Sequence, residues 1–115
     1  MDANFPRHGE IWLISLEPVI GSEIGKTRPA VVISNDRNNQ FAETITVVPL
    51  TSKTEKIYPF EVFLSQAETH LDQDSKAKAN QIRTVDKKRL VKLMAELPPD
   101  KLAALKQAVC IHLGI

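Results

Sequence analysis

Apolar and polar positions change rhythm several times along this chain, and each rhythm predicts a different element. Around Trp12, apolar residues recur at Ile11, Leu13, Ile14 and Leu16 before Glu17-Pro18 stops the pattern, which predicts a strand over Glu10–Leu16. Gly21-Ser-Glu-Ile-Gly-Lys-Thr27 is polar, and its two glycines permit positive φ, so it reads as a surface loop. Ala30-Val-Val-Ile33 is short, β-branched and bounded by the turn formers Ser34-Asn-Asp-Arg-Asn-Asn39, which marks a buried strand better than a helix. Thr44-Ile-Thr-Val-Val48 predicts a third strand, with Pro49 limiting it to an edge or an irregular end because proline brings no N–H to a ladder. Phe60-Glu-Val-Phe-Leu64 gives a fourth. Gln81-Ile-Arg-Thr-Val85 alternates, so Gln81, Arg83 and Val85 share a face of a fifth strand, followed by a turn at Asp86-Lys-Lys-Arg89. Leu90, Val91, Leu93 and Leu97 fit a strand or a helical turn equally well.

The C-terminal rhythm is helical. After Pro98-Pro99, Asp100 sits near the positive end of a helix, and Leu102, Leu105, Val109 and Leu113 recur at helical spacing up to Gly114. Several short strands with one helix predict a mostly β protein: a compact, mostly antiparallel barrel or curved sheet carrying a C-terminal α-helix.

Length and composition narrow the function classes. With 115 residues, the chain fits a single domain over 1–115, since two cores would each be near the size that needs metals or disulfides. Hydrophobic residues make up 43% and charged residues 25%, an ordinary globular balance. Met1-Asp-Ala-Asn-Phe-Pro-Arg-His-Gly-Glu10 has neither the apolar run nor the basic start of an export signal, and no apolar run approaches the ~20 residues of a membrane span. A cytoplasmic protein without membrane contact is expected. Cys110 is alone and cannot form an internal disulfide, and His8, His70 and His112 are scattered, so neither metal-ligand spacing nor a two-histidine acid/base pair is suggested. The formal charge is only +1, yet residues 61–74 carry four acids and no Lys or Arg, whereas residues 76–92 carry seven basic groups against Asp86 alone. Such a block either attracts phosphates or forms a solvated face.

Phosphate-binding glycine loops, His-Glu-x-x-His and nucleophile elbows are all absent. Two junctions between loop and strand carry more information. In Gly25-Lys-Thr-Arg28-Pro29, the proline holds Arg28 extended at the entrance to a strand and so presents its guanidinium rigidly. In Val47-Val-Pro-Leu-Thr51-Ser52, a strand runs into a hydroxyl pair followed by Lys53-Thr-Glu-Lys56. Read on pattern alone, the plainer readings come first: for Arg28 a surface ion pair with Glu23, and for Thr51 a hydroxyl capping the backbone of a turn.

Three blocks in order, Gly21-Ser-Glu-x-Gly-x-x-Arg28-Pro29 leading into Ala30-Val-Val-Ile33, then Val48-Pro-Leu-Thr51-Ser52, then Gln81-Ile-Arg-Thr-Val-Asp86-Lys-Lys-Arg-Leu90, resemble the MazF/PemK family of toxin endoribonucleases from about Gly9 to the C-terminus. The resemblance implies a dimeric, SH3-like antiparallel barrel with a C-terminal helix. It implies cleavage of single-stranded RNA at short sequence motifs without metal or other cofactor, by attack of a 2′-hydroxyl to leave a 2′,3′-cyclic phosphate and a 5′-hydroxyl. It places the catalytic pair on Arg28 and Thr51, with Ser22, Glu23, Asn80 and Gln81 lining the RNA site and Lys53 beside them. It also implies inhibition by a MazE-like antitoxin whose disordered, often acidic tail lies over the RNA groove.

Chemistry constrains the roles. Arginine is never usefully deprotonated, so Arg28 suits charge growing on the phosphorane oxygens rather than proton abstraction. The Thr51 hydroxyl can donate a hydrogen bond to a phosphate oxygen but needs activation to accept a proton. Glu23 is the nearest base in sequence, and the base is left open. Some family members carry an acid where Asn80 stands, or a histidine where Ser22 stands, so two titratable groups are missing here. The competing readings are a non-enzymatic CcdB-like toxin that binds DNA gyrase, and a plain RNA-binding barrel using Lys76, Lys78, Arg83 and Lys87 on phosphates.

Overall fold

The computed structural model describes residues 4–115; Met1, Asp2 and Ala3, the start of the segment expected to carry no export signal, lie outside the described residues. Seven strands form: β1 (Glu10–Ser15), β2 (Thr27–Val32), β3 (Thr44–Thr51), β4 (Glu61–Leu64), β5 (Ser75–Lys78), β6 (Arg83–Asp86) and β7 (Leu90–Glu96). Among the described residues three α-helices accompany them: α1 (Asp36–Phe41), α2 (Gln66–Thr69) and α3 (Pro99–Leu113). All pairings are antiparallel, in the order β4-β5-β3-β2-β1-β7, with β6 on the first half of β3. The strands curl into a small SH3-like antiparallel barrel that carries the C-terminal helix.

The β2–β3 pairing is the centre of this arrangement. Ala30 faces Pro49, Val31 faces Val48 and Val32 faces Val47. Successive side chains of a strand point to opposite faces, so Val31, Val48 and Leu50 join a core under α3, while Ala30, Val32 and Val47 join a second core with Ile14, Leu16, Ile45 and Val85. Both faces are apolar, which is why Ala30-Val-Val shows no alternation in sequence. Helix α3 closes the first core with Leu105 and Ala108, helped by Leu102 and Val109. Leu113, expected on the same stripe, is instead 52% exposed, and the helix residues that pack on the core end at Val109. Gly114 at φ 74 ends the helix in the left-handed conformation.

Several expectations shift. Pro49 does not put β3 at an edge: the strand is central, and the proline falls where its outer partner changes from β6, paired up to Val47, to β5, paired from Leu50. A residue without an N–H fits that gap. The fifth predicted strand begins later, at Arg83, because Ala79–Gln81 forms a 3-10 turn. Leu90, Val91 and Leu93 resolve into β7, which pairs with β1, and Leu97 tucks into the first core beyond its end. The turn formers at 34–39 contain α1, whose N-cap Asn35 accepts from the Asn38 N–H at 2.8 Å while Asp36 sits in the first turn. Strand β5 escapes a pattern reading altogether, since Ser75-Lys-Ala-Lys78 brings a single apolar side chain, Ala77, to the core.

Leu105 is fully buried and is the helix's main anchor. Leu105→Ala should cost about 2–5 kcal/mol in chemical denaturation, because a buried leucine leaves both lost transfer energy and a cavity. Leu113→Ala should cost less than about 0.5 kcal/mol in the same measurement.

Candidate active site

The β2–β3 register continues past its last paired residues to the end of the barrel. Ala30 faces Pro49 at the end of the ladder, and extending that register by two residues brings Arg28 towards Thr51; both side chains line the same two grooves. On its other side Arg28 is held by β1, in register with Ile14. Its Nε donates to the Gly25 carbonyl at 2.7 Å, which fixes the guanidinium plane and leaves both terminal NH2 groups for a ligand. No carboxylate makes an ion pair with Arg28 among the described residues. Glu23 is turned back on its own loop, accepting from the Ile20 N–H at 2.6 Å, which removes the ion-pair alternative for Arg28. Thr51 is nearly buried, and its Oγ1 accepts from the Lys53 N–H at 3.3 Å. The turn-capping role of this hydroxyl is therefore real, and it is compatible with chemistry: with the oxygen engaged as acceptor, the O–H remains free to donate.

Arg28 and Thr51 form the common wall of two open grooves of about 300 and about 320 Å³. The larger is rich in lysine and holds Ser22, Lys53, Lys56, Lys78 and Gln81. The smaller has Leu13, Leu71 and Met94 for walls and Asp72, Gln73 and Ser75 along an edge, with Arg28 as its one cationic lining residue. Of the residues singled out in sequence, Arg28, Thr51, Ser22, Lys53 and Gln81 thus share the lysine-lined groove. Glu23 and Asn80 lie in an adjoining depression, joined to that groove through Ser22 and Gln81. Gln81 accepts from the Ile24 N–H at 3.1 Å, tying the first loop to the 3-10 turn before β6. The Asn80 Oδ1 is buried without a hydrogen-bond partner, an arrangement that costs stability and occurs disproportionately where a ligand completes the bond.

The first loop is built for this position. Gly21 takes φ 57, as a surface-loop glycine can, but Gly25 serves differently: a Cβ there would meet Glu17 Oε1 at 2.5 Å, and it is Lys26 that turns through φ 67. Glu17 Oε1 accepts from the Lys26 N–H at 2.5 Å and closes the loop just before Arg28.

Beneath the lysine-lined groove lies a charged core that pattern reading missed. Glu61 is buried, and its Oε1 lies 2.9 Å from Lys76 Nζ, while Lys78 Nζ stands 3.7 Å from its Oε2. Burial by itself pushes the Glu61 carboxyl up, but the Lys76 hydrogen bond, the Tyr58 N–H and the charges of Lys76 and Lys78 together outweigh it and hold the group below the usual carboxylate range. Lys76, opposite Thr51 in the β3–β5 register, also donates to the Lys56 carbonyl at 2.7 Å. One ion pair thereby fixes the loop after Thr51 from below. The only sequence signal was the adjacency of an acidic and a basic block, which β4 and β5 fold against each other.

A profile of PemK-like, MazF-like toxins of type II toxin–antitoxin systems matches residues 7–113, the whole of the barrel and its helix. The chain belongs to this toxin family. It is 46% identical over 114 residues to Endoribonuclease MazF9 of Mycobacterium tuberculosis, covering 95% of this chain and 97% of that one. Its fold is similar to MazF of Deinococcus radiodurans, with TM-score 0.86 and 31% identity over 97% of this chain and 99% of that one. It also resembles MazF in a MazE–MazF structure from the same organism, with TM-score 0.77 and 30% identity over 96% of each chain. Among the described residues, no three His, Cys, Asp or Glu side chains gather as a metal-ligand set, and no helix is long and apolar enough to cross a membrane.

Within this member of the toxin family, the four basic residues of the RNA-binding-barrel reading do not form one surface. Lys76 and Lys78 face Glu61, the Arg83 Nη1 donates to the Leu16 carbonyl at 3.2 Å, and Lys87 belongs to a depression beside Trp12 and Leu90. Glu61→Gln should destabilise the protein by about 3 kcal/mol at neutral pH, since it strands a buried ammonium. Because the folded-state pKa of Glu61 is lowered, its contribution is complete above the unfolded value of about 4.3 and is lost as pH falls through the folded value. Thermal unfolding of wild type between pH 7 and pH 3 should therefore show a steeper acid loss than Glu61→Gln; parallel curves would contradict the assignment.

Proposed function

We propose that this toxin is an endoribonuclease that cuts single-stranded RNA at specific sequences, without metal, with Arg28 and Thr51 as its catalytic pair. The observation that carries this reading is the position of the two side chains, opposite each other at the barrel's end and lining both grooves. A phosphodiester there would have a nucleoside on either side.

In the proposed reaction the 2′-oxygen of one ribose bonds to the adjacent phosphorus, the P–O5′ bond breaks, and the products are a 2′,3′-cyclic phosphate and a 5′-hydroxyl. The 2′-hydroxyl loses a proton and the leaving 5′-oxygen gains one. The free NH2 groups of Arg28 neutralise the charge that grows on the nonbridging oxygens, and the Thr51 O–H donates to one of them. The phosphorane charge is met by a guanidinium already oriented by the Gly25 carbonyl, so little reorganisation accompanies the reaction. The likeness to Endoribonuclease MazF9, at 46% identity, supports the activity.

Lys53 and Lys56 in the larger groove suit the RNA backbone, with Ser22, Glu23, Asn80 and Gln81 meeting bases where the groove continues. The same basic groove suits the acidic tail of a MazE-like antitoxin, and the MazE–MazF structure supports such a partner. The free edge of β7, with Val91 and Leu93 more than half exposed, suits the homodimer expected of the family.

Purified protein in EDTA should cut a mixed-sequence single-stranded RNA and leave 5′-hydroxyl ends. Arg28→Ala and Thr51→Ala should each lower the rate about 10²–10³-fold, the usual effect of removing one donor to a developing oxyanion. Intact RNA with wild-type protein, together with binding to DNA gyrase, would favour the CcdB-like alternative. Expression beside the neighbouring upstream gene should co-purify a small acidic-tailed protein that abolishes cutting.

A further inference from the structure

The two grooves that share Arg28 and Thr51 differ in charge. The larger offers Lys53 and Lys56 to a phosphate chain. The smaller has no lysine; apart from Arg28 its charged lining group is Asp72, an exposed carboxylate without an ion-pair partner among the described residues. It offers no second cation to another phosphate, whereas a nucleobase would find Leu13 and Met94 for its faces, over the buried Leu71, and polar groups for its edge.

The edge is rigidly presented. Leu71 is buried in the first core and its N–H donates to Thr69 Oγ1 at 3.2 Å. His70 turns the chain at φ 61 after α2. On the far side Asp74 Oδ1 accepts from the Gln66 N–H at 2.8 Å, and the Ser75 hydroxyl donates to the Gln73 carbonyl at 3.3 Å. Asp72 and Gln73 therefore stand on a short segment fixed at both ends, the condition for reading a base rather than brushing against it.

We propose that the smaller groove is a nucleobase subsite for the nucleotide on one side of the cut, and that Asp72 is its specificity-determining residue. This rests on the endoribonuclease reading. A carboxylate only accepts hydrogen bonds. It pairs with the exocyclic amino group of adenine or cytosine, and best with the adjacent N1–H and N2 amino donors of guanine. Uracil presents its single N–H between two carbonyl oxygens that the carboxylate repels. The subsite thus selects an amino-bearing base against uracil.

The test is cleavage of an RNA pool carrying a randomised segment, with both ends of each cut sequenced, by wild type, Asp72→Ala and Asp72→Asn. Wild type should deplete uracil at one position flanking the cut, and Asp72→Ala should weaken that discrimination by at least about fivefold, the effect of losing one good base contact. Preferences at other positions should persist, and an unchanged melting temperature would confirm that the exposed Asp72 can be replaced without unfolding. Unchanged base frequencies at both flanking positions in both variants would overturn the assignment of Asp72. Uracil favoured by wild type at both flanking positions would do the same. A wild type that leaves the pool intact would defeat the endoribonuclease reading itself, a result distinct from either.

Discussion

The grooved end of this toxin depends on one backbone pairing. Ala30, Val31 and Val32 lie against Pro49, Val48 and Val47, and every feature of the site is measured from that register. A slip of one residue would send Val31 and Val48 out of the core under the helix and would also turn Arg28 away from Thr51. Because both faces are buried, polarity alone does not set this register; it is set by the fit of side chains of different size in two close-packed cores, which a slip would disturb on both sides at once. The hydrophobic core and the alignment of the two polar side chains are therefore consequences of the same pairing. Pro29 and Pro49 fit within it because each lies where one neighbouring strand is missing or changing.

Charge is organised around this pairing in two layers. Below, Glu61 takes up Lys76 and Lys78, so part of a basic block is spent inside the protein. Above, Lys53 and Lys56, not paired with Glu61, line the groove with Arg28, while Lys78, its side chain 28% exposed, serves both the groove and the buried carboxylate. A simple count of basic residues along the chain overstates what is offered to a phosphate, because the acidic segment that precedes them folds against them. The buried pair also fixes the Lys56 carbonyl, so the loop that forms one side of the groove is anchored by an interaction that never faces the ligand.

What was legible in the sequence follows the physics of each signal. Strands with one or two continuous apolar faces, such as Glu10–Ser15 and Thr44–Val48, declared themselves, as did the helix from Pro99. Strand β5 did not, because its outward partners are lysines whose burial depends on a carboxylate in a different strand. Helix α1 was hidden by its own capping residues, since asparagine and aspartate signal a turn and a helix start alike. Arg28 and Thr51 were visible only as loop-to-strand junctions, and the resemblance of three ordered blocks gave them a meaning that neither residue carried alone. Their facing positions come from strand pairing between residues 23 apart in the chain, which no local pattern contains. The smaller groove was invisible for the same reason: it assembles from β1, β2, β3, β5, β7 and the segment after α2.

That Arg28 and Thr51 form a wall common to both grooves bears on how such a protein is switched off. An inhibitor lying in either groove alone would come against the same two side chains, so it would not need to imitate a whole RNA strand or reach across the barrel's end. A short extended peptide is enough for that geometry. On the proposed reading, a partner with few ordered residues would suffice to cover both catalytic side chains at once.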